Sequence, residues 1–298
     1  NMSPKRDIFF LKFFVFKVLF YMENKNIFDN LYQEKCVLKN EKNAVFLYKT
    51  NCLNFMDYLI SLYPDGIFDM IFADPPYFLS NNGITCHSGK MVSVNKGDWD
   101  KSNNIKENHK FNISWLSKCQ KLLKQDGTIW VSGTHHIIYS IGFAMQELGM
   151  KILNNITWEK PNPPPNLSCR YFTHSTETII WAAKNNKSKH FFNYEEMRKE
   201  NNGKQMKSVW VIPPPSKKEK EWGKHPTQKP IQLLKRIIVA STKEEDIVFD
   251  PFAGSSSTAI AAIELNRFFV GCELEEEYIS LSKKRIEECL NKNNKNFC

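Results

Sequence analysis

The chain has 298 residues, with 41 Lys and Arg against 32 Asp and Glu, which gives a formal net charge of +9. Hydrophobic residues make up 42% and charged residues 24%, which excludes a disordered or collagen-like chain and leaves ample length for a buried core. The positive charge favours a polyanionic partner such as a nucleic acid. The eight cysteines lack C-x-x-C or Cys–His spacing, so we predict no metal site and no disulfide framework, but free thiols in a cytoplasmic protein.

The N-terminal segment is apolar without being a membrane helix. Residues 8–21 (IFFLKFFVFKVLFY) are interrupted by two lysines and fall short of the roughly 20 apolar residues that span a bilayer. No small-residue cleavage site follows, so a signal peptide is not predicted. Met22 begins a polar stretch that is typical of a natural start. We therefore expect residues 1–21 to be a peripheral extension, upstream of the true initiator, and we predict no membrane partner.

From residue 44 onward, short apolar runs alternate with helical periodicity, which predicts an α/β fold with a mainly parallel sheet. Residues 79–110 are polar and aperiodic, so we expect a long mobile loop there. Residues 184–224 are dense in Lys, Asn and Glu, and we interpret them as inserted rather than part of the core. Residues 291–298 are predicted to be a frayed tail. Strands are predicted over 44–48, 68–73, 128–132, 151–159, 176–183, 246–249 and 268–272, and helices over 53–62, 111–124, 137–148, 228–241, 256–265 and 275–290.

The first candidate for chemistry is Asp74-Pro75-Pro76-Tyr77, which follows a buried strand at the edge where open α/β sheets bind ligands. Two prolines remove two N–H donors and fix two φ angles, so the turn presents carbonyl acceptors rigidly. A carboxylate and an aromatic ring complete a set that suits a planar base, because the exocyclic amine needs acceptors and stacking contributes about 1–3 kcal/mol. The plainer interpretation is a proline-rich strand exit with a surface tyrosine.

The second candidate is the turn Asp250-Pro-Phe-Ala-Gly-Ser255, which also follows a strand and opens a helix. Gly254 permits close backbone approach to a ligand, and the helix that follows offers free N–H groups. Its single glycine excludes the dinucleotide motif G-x-G-x-x-G. Glu273 follows the next strand, where an acid binds ribose hydroxyls in nucleoside-binding folds. A tight turn with a surface glutamate is the alternative.

The third candidate is Lys224-His-Pro-Thr-Gln-Lys-Pro230, at the entrance of a predicted helix. Thr227 is predicted to be the N-cap of that helix, so part of the pattern is a helix start. His225 has no Ser or Cys nucleophile arrangement around it, so we interpret it as a positioning residue.

In this order, D-P-P-Y, H-P-T-Q-K-P and D-P-F-x-G-S resemble the β-class amino-methyltransferases of DNA, which use S-adenosylmethionine. The resemblance covers roughly residues 44–290, and it implies a Rossmann-like methyltransferase fold in circularly permuted order. It implies a catalytic half over 22–183, a target-recognition insertion over 184–224 and a cofactor-binding half over 225–290. The strings at 72–81, 92–100, 154–158 and 167–178 are similar to the DpnA branch, whose enzymes methylate adenine in GATC.

The resemblance also implies roles for residues. Asp74 and the Pro75 carbonyl would accept hydrogen bonds from the adenine N6 amine, Pro76 would complete the turn, and Tyr77 would stack on the base after it leaves the helix. The methyl group would pass directly to N6 without a covalent enzyme intermediate, because the site holds both reactants in line. The implied cofactor-binding residues are Asn51, Cys52, Asp74, His225, Thr227, Gln228, Lys229, Asp250, Phe252, Gly254, Ser255, Ser256 and Glu273.

Two positions depart from the family pattern. The family usually has G-S-G-T-T where this chain has Gly254-Ser-Ser-Ser-Thr258, and Ser256 adds a side chain where close backbone approach is usual, which predicts a lower cofactor affinity. Asn51 stands where the family often has Asp, a milder change since Asn keeps one acceptor.

DNA contacts are predicted mainly in 184–224 and in the loop 79–110, where basic residues would contact phosphates. Arg170 is the better candidate for a specific contact, whereas any single lysine could instead be a solvated surface charge. The cluster predicts salt-sensitive affinity. The predicted DNA-binding residues are Lys96, Arg170, Lys187, Lys189, Arg198, Lys204 and Lys207.

Three alternatives stay open at this point. The chain could methylate N4 of cytosine, although those enzymes more often have Ser where Asp74 stands. It could act on RNA, or it could be a DNA-binding relative that has lost catalysis. The expected partner is double-stranded DNA, with single-stranded DNA open. A homodimer and a restriction endonuclease that acts on the same site without having to bind are further expectations.

Overall fold

The computed structural model describes residues 34–40, 42–78, 83–87, 90–94 and 104–295. In most of these ranges, strands alternate with helices. The strands are β1 Cys36–Asn40, β2 Val45–Lys49, β3 Phe68–Ala73, β4 Gly83–His87, β5 Lys90–Val94, β6 Leu123–Gly133, β7 Lys151–Glu159, β8 Thr176–Ala183, β9 Val209–Val211, β10 Ile247–Asp250 and β11 Phe268–Glu273. The α-helices are α1 Cys52–Leu62, α2 Ile105–Leu122, α3 Ile138–Glu147, α4 Tyr194–Glu200, α5 Ile231–Ser241, α6 Ser257–Glu264 and α7 Glu276–Lys295.

One mixed sheet organises the domain, with the strand order β1-β2-β11-β10-β3-β6-β8-β7-β9. Strands β2, β11, β10, β3 and β6 are parallel neighbours, so their carboxyl ends lie at one edge. Strand β8 runs antiparallel between β6 and β7, which brings its first residues to the same edge as the ends of its neighbours. This edge is where the three sequence motifs meet.

The two faces of the sheet carry separate hydrophobic clusters. Alternation along β2 places Leu47 in one cluster and Phe46 in the other, and both side chains are buried. The first cluster contains the stacked rings of Trp130 and Trp181, whose centroids are 4.7 Å apart. Helices α5, α6 and α7 cover this face, while α1, α2 and α3 cover the other. The predicted α/β fold is confirmed by this arrangement.

Several predicted elements match closely, whereas others begin elsewhere. Strands β3, β7 and β8 have the predicted bounds. Helix α2 begins six residues earlier than predicted, because the Asn104 side chain caps it by accepting the N–H of Glu107 at 2.9 Å. The loop prediction for 79–110 is therefore wrong for 105–110, and β4 and β5 pair as an antiparallel hairpin within it. Strand β1 was not predicted.

Two further differences concern the second half of the chain. Residues 184–224 are not outside the core, because β9 pairs with β7 and the side chains of Met197, Trp210 and Ile212 are buried in the first cluster. Helix α5 begins at Ile231 behind Pro230, so Thr227 is not its N-cap. Helix α7 continues to Lys295, beyond the predicted start of a frayed tail. The segment 1–21 and Lys96 lie outside the described residues.

Within the described ranges, none of the helices combines the length and apolarity needed to cross a bilayer. The same ranges hold no group of three or more His, Cys, Asp or Glu side chains placed to bind a metal ion.

Candidate active site

The carboxyl ends of β2, β3, β10 and β11 open into a cavity of about 240 Å³. Residues from the D-P-P-Y turn and from the Gly254 turn both line it, because the two turns follow the neighbouring parallel strands β3 and β10. Phe111, Phe252 and Tyr278 add aromatic surface. The predicted residues that line this cavity are Asn51, Cys52, Asp74, Pro76, His225, Thr227, Phe252, Gly254 and Glu273.

At residue 254, the turn after β10 adopts a backbone conformation that favours glycine. Gly254 has φ +51°, and a Cβ there would lie 3.0 Å from Nε2 of His225. Asp250 fixes the same turn, since its carboxylate accepts the N–H of Phe252 at 3.0 Å and the hydroxyl of Thr258 at 2.6 Å. Burial raises the pKa of Asp250 to about 7, although both hydrogen bonds oppose the shift. Asp250 therefore stabilises the turn through hydrogen bonds, and it borders only a small adjoining cavity.

Helix α7 supports this turn from behind, a role that the sequence motifs do not include. Ser282 donates its hydroxyl proton to the Gly254 carbonyl at 2.7 Å. The buried Arg285 guanidinium donates to the Ser255 carbonyl and, at 3.1 Å, to the Ser257 hydroxyl. Burial lowers the pKa of Arg285 to about 10, which leaves it charged at neutral pH.

Glu273 is held rigidly at the mouth of the cavity. Its carboxylate accepts the N–H groups of Gly254 at 2.8 Å, Leu274 at 2.7 Å and Glu275 at 2.9 Å. A carboxylate offers about four acceptor positions, so one is left for a ligand hydroxyl. Burial raises the pKa of Glu273 and outweighs these three bonds.

The donor set of this cavity fits S-adenosylmethionine. Asp74, Glu273 and Glu275 contribute carboxylates, and no Lys or Arg is among the described residues that line it. Such a lining suits a cofactor with a sulfonium and an ammonium group, because opposite charges at short range attract strongly in a buried site. The remaining acceptor of Glu273 suits a ribose hydroxyl, and the aromatic rings suit the adenine face.

A second cavity, of about 270 Å³, adjoins the first and shares His225 and Thr227 with it. Tyr77 and Trp158 line it with aromatic surface, and Pro214 and Pro215 from the segment 184–224 close one side. Asp74 lines the first cavity, whereas Tyr77, three residues later, lines the second. Their side chains are joined, since the Tyr77 hydroxyl donates to Oδ1 of Asp74 at 2.7 Å.

A buried charge cluster surrounds Asp74. The ammonium group of Lys229 donates to Oδ2 of Asp74 at 2.5 Å and lies 3.1 Å from the Tyr77 hydroxyl. Glu177 is the second carboxylate, 3.6 Å from Lys229 and 2.5 Å from the ammonium group of Lys160. Two acids thus face two lysines, which nearly balances charge in a region where unpaired charge is costly.

The pKa values in the cluster follow from burial and from this pairing. Burial raises the pKa of Asp74, and Glu177 adds to the shift while Lys229 opposes it. Burial would also raise the pKa of Glu177, but the two lysines outweigh it, and the pKa of Glu177 is lowered. Burial lowers and the two carboxylates raise the pKa of Lys229, with a net increase. Glu177 is therefore firmly ionised, and Asp74 is the more basic acid.

Sequence reasoning missed Glu177 and Lys160, and it placed Lys229 only beside the cofactor. Glu177 was detectable in principle, because it is the one charged residue in strand β8, just ahead of an apolar run. The contacts of this cluster join residues 100 positions apart in the pair Tyr77–Glu177 and 155 positions apart in the pair Asp74–Lys229, so only the sheet order reveals them.

The predicted cofactor residues that do not line the first cavity are Gln228, Lys229, Asp250, Ser255 and Ser256. Ser256 lines neither cavity; it has φ +55°, and its hydroxyl is buried with no hydrogen-bond partner among the described residues. Gln228 donates to the Glu219 carbonyl at 2.8 Å and borders the second cavity. Asn51 lines the first cavity while it caps α1, since its side chain accepts the N–H groups of residues 53 and 54.

The predicted DNA-binding residues that the structure describes do not form one surface. Lys187 and Lys189 lie beside Gln125 and Asp126 near the start of β6, at the opposite edge of the sheet from the cavities. Strand β6 separates the two edges by roughly 20 Å at 3.3 Å per residue. Arg198 is paired within its own segment, with Glu195 at 3.5 Å and with the Gly203 carbonyl. Lys204 and Lys207 are exposed ahead of β9.

Comparisons with known proteins agree with this site. Residues 68–284 match the model of the DNA methylase family N6_N4_Mtase. The chain is 53% identical to the type II methyltransferase M2.DpnII of Streptococcus pneumoniae, over 83% of this chain and 91% of the relative. It is 52% identical to the type II methyltransferase M2.MboI of Moraxella bovis, over 81% and 87% of the two chains.

Solved structures show the same fold. M1.HpyAVI in its complex with S-adenosylmethionine is 28% identical with a TM-score of 0.63, and the match covers 81% of this chain and 98% of that one. The PvuII cytosine-N4-specific DNA methyltransferase is 18% identical with a TM-score of 0.61, over 84% and 92% of the chains, and shows likeness of fold alone. The chain therefore belongs to the DNA methylase family and is an S-adenosylmethionine-dependent DNA methyltransferase.

Proposed function

We propose that this enzyme transfers a methyl group to N6 of adenine in GATC, after the adenine has left the double helix and entered the second cavity. The observation that carries the proposal is the position of Asp74 between the two cavities, with Tyr77 on the base side. The likeness to the DpnA branch supports GATC as the target. A paired base cannot reach a buried cavity, so extrusion of the adenine is part of the proposal.

In this mechanism, Asp74 and the Pro75 carbonyl each accept a hydrogen bond from one of the two N6 hydrogens. These two bonds turn the nitrogen lone pair towards the first cavity. When bound, S-adenosylmethionine supplies an electrophilic methyl group on a sulfonium. The raised pKa of Asp74 suits this task, since a more basic carboxylate is a stronger acceptor for an amine that becomes acidic as the methyl adds. Lys229 and Tyr77 fix the carboxylate, and the alignment of the two reactants lowers the barrier by several kcal/mol.

The second cavity is lined by aromatic and proline side chains, which suit the flat face of a base. Tyr77 is 4% exposed and its phenol pKa is raised by burial and by Asp74, so it stays a neutral hydrogen-bond donor. Trp158, Pro214 and Pro215 line other parts of the same cavity. Aromatic stacking contributes about 1–3 kcal/mol per base, which helps to offset the unstacking of the adenine.

The test is methyl transfer from labelled S-adenosylmethionine to matched duplexes with and without GATC, followed by nucleoside analysis. N6-methyladenine in the GATC duplex alone is the expected result. N4-methylcytosine, or N6-methyladenine in another sequence, would contradict the base or the target respectively.

Asp74→Ala tests the mechanism directly. We expect a rate loss of at least about 100-fold at saturating cofactor and DNA, the lower range for a positioned acceptor. Asp65→Ala, at an exposed carboxylate after α1, is the matched control and should retain full activity. Comparable methylation by Asp74→Ala would refute the role of Asp74. The homodimer, the accompanying endonuclease and the cytoplasmic location stay predictions from the sequence.

A further inference from the structure

The loop between β7 and β8 presents aromatic side chains to solvent beside the second cavity. Phe172 is 96% exposed and Tyr171 is 61% exposed. The loop begins at Lys160 and returns at Glu177, and both of these residues line the cavity. A hydrogen bond from the Lys160 N–H to the Ser175 carbonyl, 2.8 Å long, closes the base of the loop. The loop that carries the exposed rings therefore starts and ends beside the target site.

Hydrogen bonds within the loop define the turn at its tip. Asn166 donates its side-chain amide to the Tyr171 carbonyl at 2.6 Å and accepts the Ser168 N–H at 3.0 Å. Cys169 takes the left-handed conformation at φ +53° inside this turn. Three prolines at 163–165 restrict the approach to it. A rigid turn that exposes two neighbouring aromatic rings is expected where a partner covers them.

A row of rings connects the tip to the end of β6. The centroids of Tyr171 and His174 are 5.4 Å apart, and those of His174 and His135 are 4.7 Å apart. His135 follows Thr134, which lines the second cavity. Residues 161–175 contain Arg170 and no acidic residue, so the loop is compatible with a polyanion.

We propose that Tyr171 and Phe172 stack on the DNA bases that lose a neighbour when the adenine is extruded. The inference rests on the proposed function, since an extruded base is what creates the gap. Flat rings suit this partner because every base offers a π-face, and insertion of an apolar side chain at a base step is a known way to hold a duplex open. The loop 161–175, rather than the lysines of 184–224, is then the DNA contact adjoining the target.

The test uses two duplexes, one with intact GATC and one with an abasic site in place of the target adenine. The abasic duplex offers the gap without any base for the second cavity, so its affinity reports on the loop independently of catalysis. For Phe172→Ala we expect roughly tenfold weaker binding to both duplexes, on the scale of one lost stacking contact. The slope of log Kd against log salt should stay unchanged, because stacking releases no counterions.

Matched variants separate stacking from folding. Phe172→Trp should bind both duplexes within twofold of wild type, and so should Phe143→Ala, which removes a half-exposed ring from α3. Cofactor affinity should be unchanged in all variants. If Phe172→Ala binds the abasic duplex within twofold of wild type, the stacking inference is overturned. The proposed methylation of adenine is unaffected by that result. A wild-type enzyme that binds neither duplex would overturn the inference and the proposed function together.

Discussion

Glu177→Gln is the substitution that tests the buried charge cluster most directly. The change keeps the size of the side chain but removes one of the two carboxylates that face Lys160 and Lys229. Side-chain exposure is 11% for Glu177 and 5% for Lys229, so solvent cannot replace the lost charge. The cluster would then hold two ammonium groups against the single carboxylate of Asp74.

The expected loss of unfolding free energy is about 3 kcal/mol, the lower end for a broken buried pair, since the glutamine oxygen can still accept one hydrogen bond. The direction in which this loss of unfolding free energy changes with pH follows from the lowered pKa of Glu177. Its contribution to stability is present above its ordinary pKa of 4.5 and is lost as the pH falls through the lower folded value. The difference between wild type and variant should therefore be largest at neutral pH and should shrink below about pH 4.5.

Urea unfolding at several pH values measures this difference, and the pH dependence of single-turnover methylation measures the effect on Asp74. Because the Glu177 charge raises the pKa of Asp74, its removal should move the acidic limb of the rate profile to lower pH. Glu196→Gln, which breaks the exposed pair with Lys199, is the control and should change neither quantity. An acidic limb that stays in place, or moves to higher pH, would refute the electrostatic reasoning.

Two further substitutions probe the turn after β10. Asp250→Asn removes a buried acid whose pKa is raised from 3.8 to about 7, so wild type should lose up to about 4 kcal/mol relative to the variant as the pH rises from 4 to 7. Thermal unfolding measured across that pH range would contradict this if wild type and Asp250→Asn showed the same dependence of stability on pH. Ser256→Gly removes a left-handed non-glycine residue and a buried hydroxyl that has no hydrogen-bond partner in the described part of the chain, so unfolding free energy should rise by about 1 kcal/mol in urea titrations. A clear loss of stability would show that the Ser256 hydroxyl is satisfied in solution.

The sequence predicted the elements whose hydrophobic pattern is complete within the element. Strands β3 and β8 contain buried apolar runs, and the bounds of both were predicted correctly, as were those of the more exposed β7. Helix α2 was predicted too short because its first turn is polar, although Asn104 followed three residues later by Glu107 is a helix-start pattern. Strand β9 has only three residues, and its burial comes from pairing with β7, which no local pattern reveals.

The site was predictable where residues cluster in motifs and unpredictable where the fold brings distant residues together. Asp74, Tyr77 and Gly254 are each explained by a short string whose chemistry is local. Glu177 and Arg285 act through contacts that depend on the order of the strands and on the packing of α7. The lysines of 184–224 were grouped by composition, but backbone bonds place Lys187 and Lys189 at the far edge of the sheet.

The strand order also sets the sequence of events during synthesis. Strands β10 and β11, made near the end of the chain, insert between β2 and β3, which were made near its beginning. Before β10 and β11 leave the ribosome, β2 and β3 lack the two strands that lie between them in the sheet. Asp74 and Glu177 likewise lack the ammonium group of Lys229 until that later part of the chain has been made. A nascent chain stopped before β10 would expose two unpaired strand edges, which favour aggregation. We therefore expect the sheet to become stable only after β10 and β11, which follow the other nine described strands in the chain, have been translated.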